Sequence, residues 1–281
     1  GFSRYEHSLG VFLLLKGLNA DLKEQVAGLI HDASHTALSH VIDWAVDNEE
    51  TEDFHDKKHE EYINETAIPQ ILSEHGFNID EITDYENFTL LERDIPEVCA
   101  DRVDYSLREL ERWGESQTVD RCLEGLEKYR ERLVFNNRKT AKEFAKNFLK
   151  LQTEHWGGAE GVLRFHLLGQ ALKKAMDKGF IQMDDFYEDD EYIINKLKKN
   201  GDEDIHEILE LLRGDINYET GSDDPDFLLN KKFRHVDPEY LENGEPKRLS
   251  ETDEDYRKLL EEKRKENKEG IRIKLLSSTA F

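Results

Sequence analysis

Along most of the chain the hydrophobic positions recur at helical spacing. Leu22, Val26, Leu29 and Ile30 stand at i, i+4, i+7 and i+8, one buried stripe of a helix. Ser3 followed by Glu6 has the form of a capping box and predicts a helix running to about Gly17. Asp21 with Glu24 predicts the same reciprocal cap for the helix that carries the stripe. A third helix is expected from His40 to Val46, and the acidic stretch Asp47 to Asp53 reads as a solvated loop. Lys57 to Leu72 reads as a further helix that Pro69 ends or kinks. Pro96 suits a first helical turn, with Glu97 to Trp113 following it. Helical texture returns over Val119 to Leu133, Thr140 to His155, Ala159 to Lys178 and Tyr192 to Lys199; Leu133-Val134-Phe135 reads alternatively as a short strand.

The texture changes at Gly201. Gly214, Gly221, Pro225, Pro238, Gly244 and Pro246 punctuate an acidic segment that reads as loop-rich. Asp255 to Gly270 follows as a polar surface helix, and Ile271, Ile273 and Leu275 alternate with Arg272 and Lys274 as a strand does. Lys232 to Val236 is the expected partner of that strand. The predicted fold is mostly α, with a helical domain over 1–200 and an acidic accessory region over 201–281 holding a helix and a short strand pair.

A chain of 281 residues is long enough to bury a real core. Its formal charge of −24 argues against an extended nucleic-acid surface, because phosphate backbones select basic proteins. An anionic substrate would need a local pocket of cations within a repulsive exterior. Cys99 and Cys122 are too few for a disulfide framework, which favours a reducing compartment. No apolar run approaches the roughly 20 residues that span a bilayer, and no signal-peptide pattern opens the chain. The expectation is a cytoplasmic protein without a membrane partner. The sequence also begins directly on a helix signal, so residues upstream of Gly1 are expected.

His31 and Asp32 end an otherwise apolar helix, where a carboxylate needs a partner to be buried. A cation is one partner that also suits an imidazole, and a mixed N/O set fits Mn, Fe, Ni, Co or Zn better than Mg. Consecutive helical residues diverge by about 100°, so further ligands must come from elsewhere. His7, one turn into the first helix, and Asp101 are candidates. Asp101, Asp104, Tyr105 and Arg108 share one helix face. By composition alone His40 with Asp43 reads first as a core hydrogen-bond pair. His55 and His75 read as solvent-exposed in charged surroundings, and His155 and His166 as structural.

Ser3-Arg4-Tyr5-Glu6-His7-Ser8-Leu9-Gly10-Val11, His31-Asp32-Ala33-Ser34-His35, Ser39-His40, Asp43, His59-Glu60 and Asp101-Arg102-Val103-Asp104-Tyr105 occur in that order. This series resembles the HD-domain phosphohydrolases, and among them the dGTPase-like deoxynucleoside triphosphate triphosphohydrolases. The resemblance covers residues 1 to about 115, and more faintly extends to about Leu197. It implies an HD-type helical bundle over 1–200 and one divalent transition metal held by His7, His31, Asp32 and Asp101. It further implies His35, Asp43 and His59 as catalytic residues, and Arg4, His40, Arg102, Tyr105 and Glu109 as substrate contacts, Glu109 standing where the family has an Asp. Hydrolysis of a nucleotide phosphate is the implied activity, with dNTP cleavage to deoxynucleoside and triphosphate as its dGTPase-like form and Mg accompanying the substrate. Such relatives commonly form homo-oligomers. Two alternatives stay open: a phosphomonoesterase or phosphodiesterase acting on a smaller substrate, and an inactive HD domain serving as a metal- or nucleotide-binding module. Thr36-Ala37-Leu38 depart from the family's Gly-Pro-Phe, and Gln152-Thr153-Glu154 depart from its base- and sugar-contacting residues.

Overall fold

Ser3 opens the chain's first helix as the sequence predicts. In the computed structural model its hydroxyl accepts from the Glu6 amide while Glu6 Oε2 accepts from the Ser3 amide at 2.7 Å. The structure describes residues 2–50, 52 and 54–276, without the side chains of residues 56, 57 and 86. The expected loop over 47–53 therefore lies partly outside the described residues.

The helices run α1 (Arg4–Gly17), α2 (Leu22–Ile30), α3 (Val41–Ala45), α4 (Phe54–Asn64), α5 (Ile68–Glu74), α6 (Ile79–Thr83), α7 (Ala100–Arg112) and α8 (Ser116–Gly125). Strands β1 (Leu126–Tyr129) and β2 (Arg132–Phe135) precede α9 (Arg138–Lys150), α10 (Ala159–Asp177), α11 (Asp190–Asn200) and α12 (Glu203–Arg213). Then come β3 (Tyr218–Thr220), β4 (Phe227–Leu229), β5 (Glu239–Glu242), β6 (Glu245–Arg248), α13 (Leu249–Thr252), α14 (Glu254–Glu269) and β7 (Ile271–Leu275). The mostly α expectation holds. Among the described residues no helix is long and apolar enough to cross a membrane.

Several local expectations change. Asp21 does cap α2, but Glu24 does not close a box: its Oε1 accepts from the amides of Leu90 and Leu91 at 2.7 and 3.0 Å. A buried carboxylate takes two otherwise orphaned donors over one local cap. Pro69 begins α5 instead of ending its predecessor, since its missing N–H is harmless in a first turn. Helix α7 starts at Ala100, three residues beyond the sequence estimate, after a cis Ile95–Pro96 bond. The segment after Gly125 resolves into the β1–β2 hairpin, with Leu126 opposite Phe135. Helix α12 was hidden by the surrounding glycines and prolines, although Asp202 caps it and Ile205, Ile208 and Leu209 are buried at i, i+3 and i+4. Finally, β7 pairs with β3 and β4, not with 232–236. Val236 and Asp237 are tied elsewhere, the first accepting from Tyr256 Oη and the second donating to Pro96 O at 2.8 Å.

The chain forms two compact units, each assembled from three segments. Unit 1 takes residues 1–33, 60–153 and 234–263. Within it α1 packs on α2 and α7, and α7 continues through α8 to α9. A Cβ at Gly28 would stand 2.6 Å from Leu15 Cδ1, so glycine there lets α2 close on α1. A four-stranded sheet, ordered β1-β2-β5-β6 with β2 and β5 parallel, packs on α9 through buried Phe135, Phe144 and Tyr240.

Unit 2 takes residues 34–59, 154–233 and 264–281. Its core centres on α10, against which α3, α11, α12 and the β3-β7-β4 sheet pack. Ile42, Leu163, Leu167, Leu172, Ile193, Ile205 and Ile273 are fully buried there.

Candidate metal centre

Three elements of unit 1 converge on one small polar space. Helix α1 brings His7, only 4% exposed. His31 follows α2 as its C-cap, with Asp32 next, and Asp101 lies in the first turn of α7. His7 Nε2 is 3.0 Å from Asp101 Oδ1 and 3.7 Å from Asp32 Oδ2. His31 Nε2 is 3.4 Å from Asp101 Oδ1 and 3.7 Å from Asp32 Oδ1.

The two imidazoles are held by the nitrogen that faces away. His7 Nδ1 bonds Asp104 Oδ2 at 2.7 Å, and His31 Nδ1 donates to Gly28 O at 2.8 Å. Those partners fix a tautomer whose Nε2 lone pair points into the cluster. His31 Nε2 is buried there without a hydrogen bond. Ligand–ion distances of about 2.0–2.2 Å place neighbouring donors roughly 3–3.6 Å apart; both contacts of Asp101 fall in that range and both contacts of Asp32, at 3.7 Å, lie just outside it. Two imidazoles, two carboxylates and one orphaned buried nitrogen therefore fit a divalent transition metal.

The electrostatics agree. Burial penalises a charged His7, but its hydrogen bonds to Asp101 and Asp104 and the charge of Asp32 outweigh that and hold the ring up at about 10 in the metal-free protein. Burial also opposes a charged His31, and Asp32 and Asp101 again raise it. Asp101 feels burial pushing its carboxyl up, yet the two histidines hold it well below the usual range. Protons thus stand in for a cation. A ligating histidine must be neutral, so metal uptake near neutral pH should release about one to two protons, and affinity should fall as pH falls below about 10. Calorimetric heats taken in buffers of different ionisation enthalpy check this; heats independent of the buffer would contradict it.

Asp104 orients His7 and also accepts from Arg108 Nε at 2.6 Å. Gly10 makes room for that pair, because a Cβ there would overlap Asp104 Oδ1 and Arg108 Nη2. Gly10→Ala should leave the fold intact, push Asp104 off His7 and weaken metal binding about 10–100-fold. Metal titration against wild type measures the change, and equal affinities would show that Asp104 does not act through His7.

Of the remaining candidates of unit 1, Arg4 and Tyr105 stand beside this cluster. Arg4 Nη1 reaches Asp32 Oδ2 at 3.4 Å, and the Tyr105 ring lies 6.5 Å from His7 by centroids. Arg102 is engaged elsewhere, with Glu92 Oε1 at 2.9 Å, Cys99 Sγ at 3.0 Å and the Arg93 carbonyl. Glu109 bonds Arg112 at 3.2 Å along α7.

In unit 2, His35, His40 and Asp43 form a second polar group. His40 Nδ1 is 3.4 Å from Oδ2 of the fully buried Asp43, whose Oδ1 accepts from Asn48 Nδ2 and the Phe54 amide. His59, also buried, shares a 2.7 Å hydrogen bond with Ser34 Oγ. The group has a fourth member that the sequence reading placed in solvent: His55 is 2% exposed and stacks on His35 with ring centroids 4.0 Å apart. Its charged neighbours along the chain hid it, and its tertiary packing reveals it.

Residues 4–109 match the family described as the HD domain. The chain is 34% identical over 287 residues to the uncharacterized protein YdhJ of Bacillus subtilis, covering 98% of this chain and 85% of that protein. It is 30% identical over 188 residues to the metal-dependent phosphohydrolase cns2 of Cordyceps militaris, covering 64% of this chain and 54% of the relative. Among solved structures, a hypothetical protein from Aquifex aeolicus superposes with a TM-score of 0.62 at 20% identity, over 94% of this chain and 86% of that one. A phosphohydrolase from Bacteroides thetaiotaomicron superposes with a TM-score of 0.59 at 17% identity, over 80% and 68%. At these identities the two structures speak for a shared fold. Sequence match, fold and the His-Asp cluster together show that the chain belongs to the HD-domain family.

Proposed function

We propose that this protein is a metal-dependent phosphohydrolase acting on a small phosphate ester of the nucleotide class. One observation carries the reading: His7, His31 and Asp32 offer donor atoms within 4.8 Å of one another, Asp101 Oδ1 stands 3.0 Å from His7 Nε2, and His31 Nε2 is buried and unbonded among them. The name of the Cordyceps militaris relative supports the same chemistry. A divalent ion in such a set supplies an activated water and positive charge against phosphate oxygens.

The chain's own residues would do the rest. Asp104 and the Gly28 carbonyl orient the two imidazoles. Arg4, beside Asp32, offers a guanidinium to a phosphate oxygen, and Tyr105 offers a hydroxyl that burial keeps protonated. The resemblance assigns proton transfer to His35 and His59 and a phosphate contact to His40, which stands beside the buried Asp43 carboxylate. Glu109 is kept as the sugar contact, whereas Arg102 is left out of the phosphate set because Glu92 and Cys99 hold its guanidinium.

The test incubates metal-reconstituted protein with deoxynucleoside and nucleoside triphosphates, monophosphates and cyclic nucleotides. Phosphate release from a monophosphate or opening of a cyclic nucleotide supports the reading, and release of inorganic triphosphate assigns the dGTPase-like mode within it. Absence of turnover across the panel with every divalent metal bound would overturn it in favour of a binding module.

A further inference from the structure

Leu38 and Ser39 stand at φ +59° and +50°, in the left-handed region that residues carrying a Cβ avoid. Two such residues in succession persist only where their surroundings over-determine them. The local hydrogen bonds of the turn are ordinary: the Ser39 amide donates to Thr36 O at 3.2 Å and the Val41 amide to Leu38 O at 3.1 Å. The shorter contacts come from far along the chain. The Leu38 amide donates to Asp190 Oδ1 at 2.7 Å, and the Ala37 amide to Phe186 O at 2.7 Å.

Asp190 is not needed as the cap of its own helix. Asp189 is the N-cap of α11, and its carboxylate accepts from the Tyr192 amide at 2.7 Å. Asp190 follows in the first turn, exposed, and accepts from an amide 152 positions away. A carboxylate is a stronger acceptor for an amide than a neutral oxygen. The base from which it reaches is firm. Phe186, Ile193 and Leu197 are fully buried, and Asp185 accepts from Lys196 Nζ at 2.5 Å, Tyr192 Oη at 3.0 Å and the Gln182 amide at 2.7 Å. What the turn delivers is His40, which directly follows Ser39 as the N-cap of α3 and has Nδ1 3.4 Å from Oδ2 of the fully buried Asp43. A change of φ at Leu38 or Ser39 would swing that ring off its carboxylate. We infer that Asp190 is a positioning residue: by holding the Leu38 amide it maintains the left-handed turn that sets His40 against Asp43. That the held turn serves hydrolysis rests on the function proposed above; the brace itself does not.

NMR of the metal-loaded full chain and its variants, together with turnover in the nucleotide panel, tests this. Asp190→Ala should speed hydrogen exchange of the Leu38 amide and lower kcat/KM, each about tenfold or more, and move the His40 ring signals at unchanged metal content. Asp190→Asn keeps an acceptor oxygen and should retain most of each property. Glycine takes a positive φ unaided, so Asp190→Ala should cost less in a Leu38→Gly background than in the wild type. That comparison cancels the packing lost with the leucine side chain, which lies against the core of unit 2. Unmoved His40 signals in Asp190→Ala, or an equal cost in both backgrounds, would overturn the inference. So would a loss of turnover explained by a lower melting temperature alone, or His40 signals that move while kcat/KM stays the same. Wild-type turnover with an unresponsive His40 would sink this inference alone. Leu38 and His40 responding as expected in a protein without any turnover would sink the enzymatic reading alone.

Discussion

Asp101→Ala should empty the metal centre and abolish hydrolysis together. Asp101 Oδ1 stands 3.0 Å from His7 Nε2 and 3.4 Å from His31 Nε2, so one carboxylate touches both imidazoles. Its loss removes a donor and also the charge that holds two cationic rings side by side in the metal-free state. Transition-state charge stabilisation by a metal is worth several kcal/mol, so turnover should fall about a thousandfold or more. Elemental analysis of the purified variant should find bound metal near zero, with the helical circular dichroism unchanged. Retention of both metal and activity would show that the ligand set is misassigned.

Glu24→Ala should have the largest effect on stability. The Glu24 carboxylate is 4% exposed and accepts from the amides of Leu90 and Leu91 through Oε1. The carbonyls of the same two residues accept from Ala100 and Asp101, at 2.7 and 3.2 Å, where α7 begins. Helix α2, which ends at His31, thus clamps the segment that sets the position of Asp101. Alanine leaves two buried donors unmatched at about 1–3 kcal/mol each, a loss of about 3 kcal/mol overall. Thermal unfolding should shift down by roughly 6–12 °C, and metal affinity should fall as Asp101 loosens. Glu24→Gln keeps an acceptor oxygen and should retain most of the stability. Equal melting temperatures for wild type and Glu24→Ala would refute the clamp.

Glu24 also marks where the sequence stops being sufficient. Its spacing from Asp21 satisfies the capping-box pattern, and the Asp21 half of the pattern is real. The other half fails because a distant partner, Leu90 with Leu91, offers two amides, and no local pattern encodes that. Helix α1 was legible because its cap and its buried positions His7, Val11 and Leu15 are all local. The β3-β7-β4 sheet was only half legible, since alternation in Ile271–Leu275 identifies a strand but not its neighbours.

The site divides in the same way. His7, His31, Asp32 and Asp101 were readable because motif strings fix their types and order, and the structure brings the four together. Asp104 and Gly10 lay inside those strings, but their parts follow only from packing: one carboxylate bonded to His7, one missing Cβ that gives it room. His55 was unreadable in principle. Its neighbours Asp53, Asp56, Lys57 and Lys58 give it the local signature of a solvated loop, and only stacking on His35 puts it in the interior.

The claim that this HD-domain protein hydrolyses phosphate esters through the His7–His31–Asp32–Asp101 centre meets its most direct test in one titration. Chelated protein is reloaded stepwise with a divalent transition metal, and phosphate release from the nucleotide panel is measured against bound metal. The account predicts hydrolysis that rises in proportion to occupancy and levels off as the centre fills. Hydrolysis undiminished in the metal-free protein, or none at full occupancy, would contradict it.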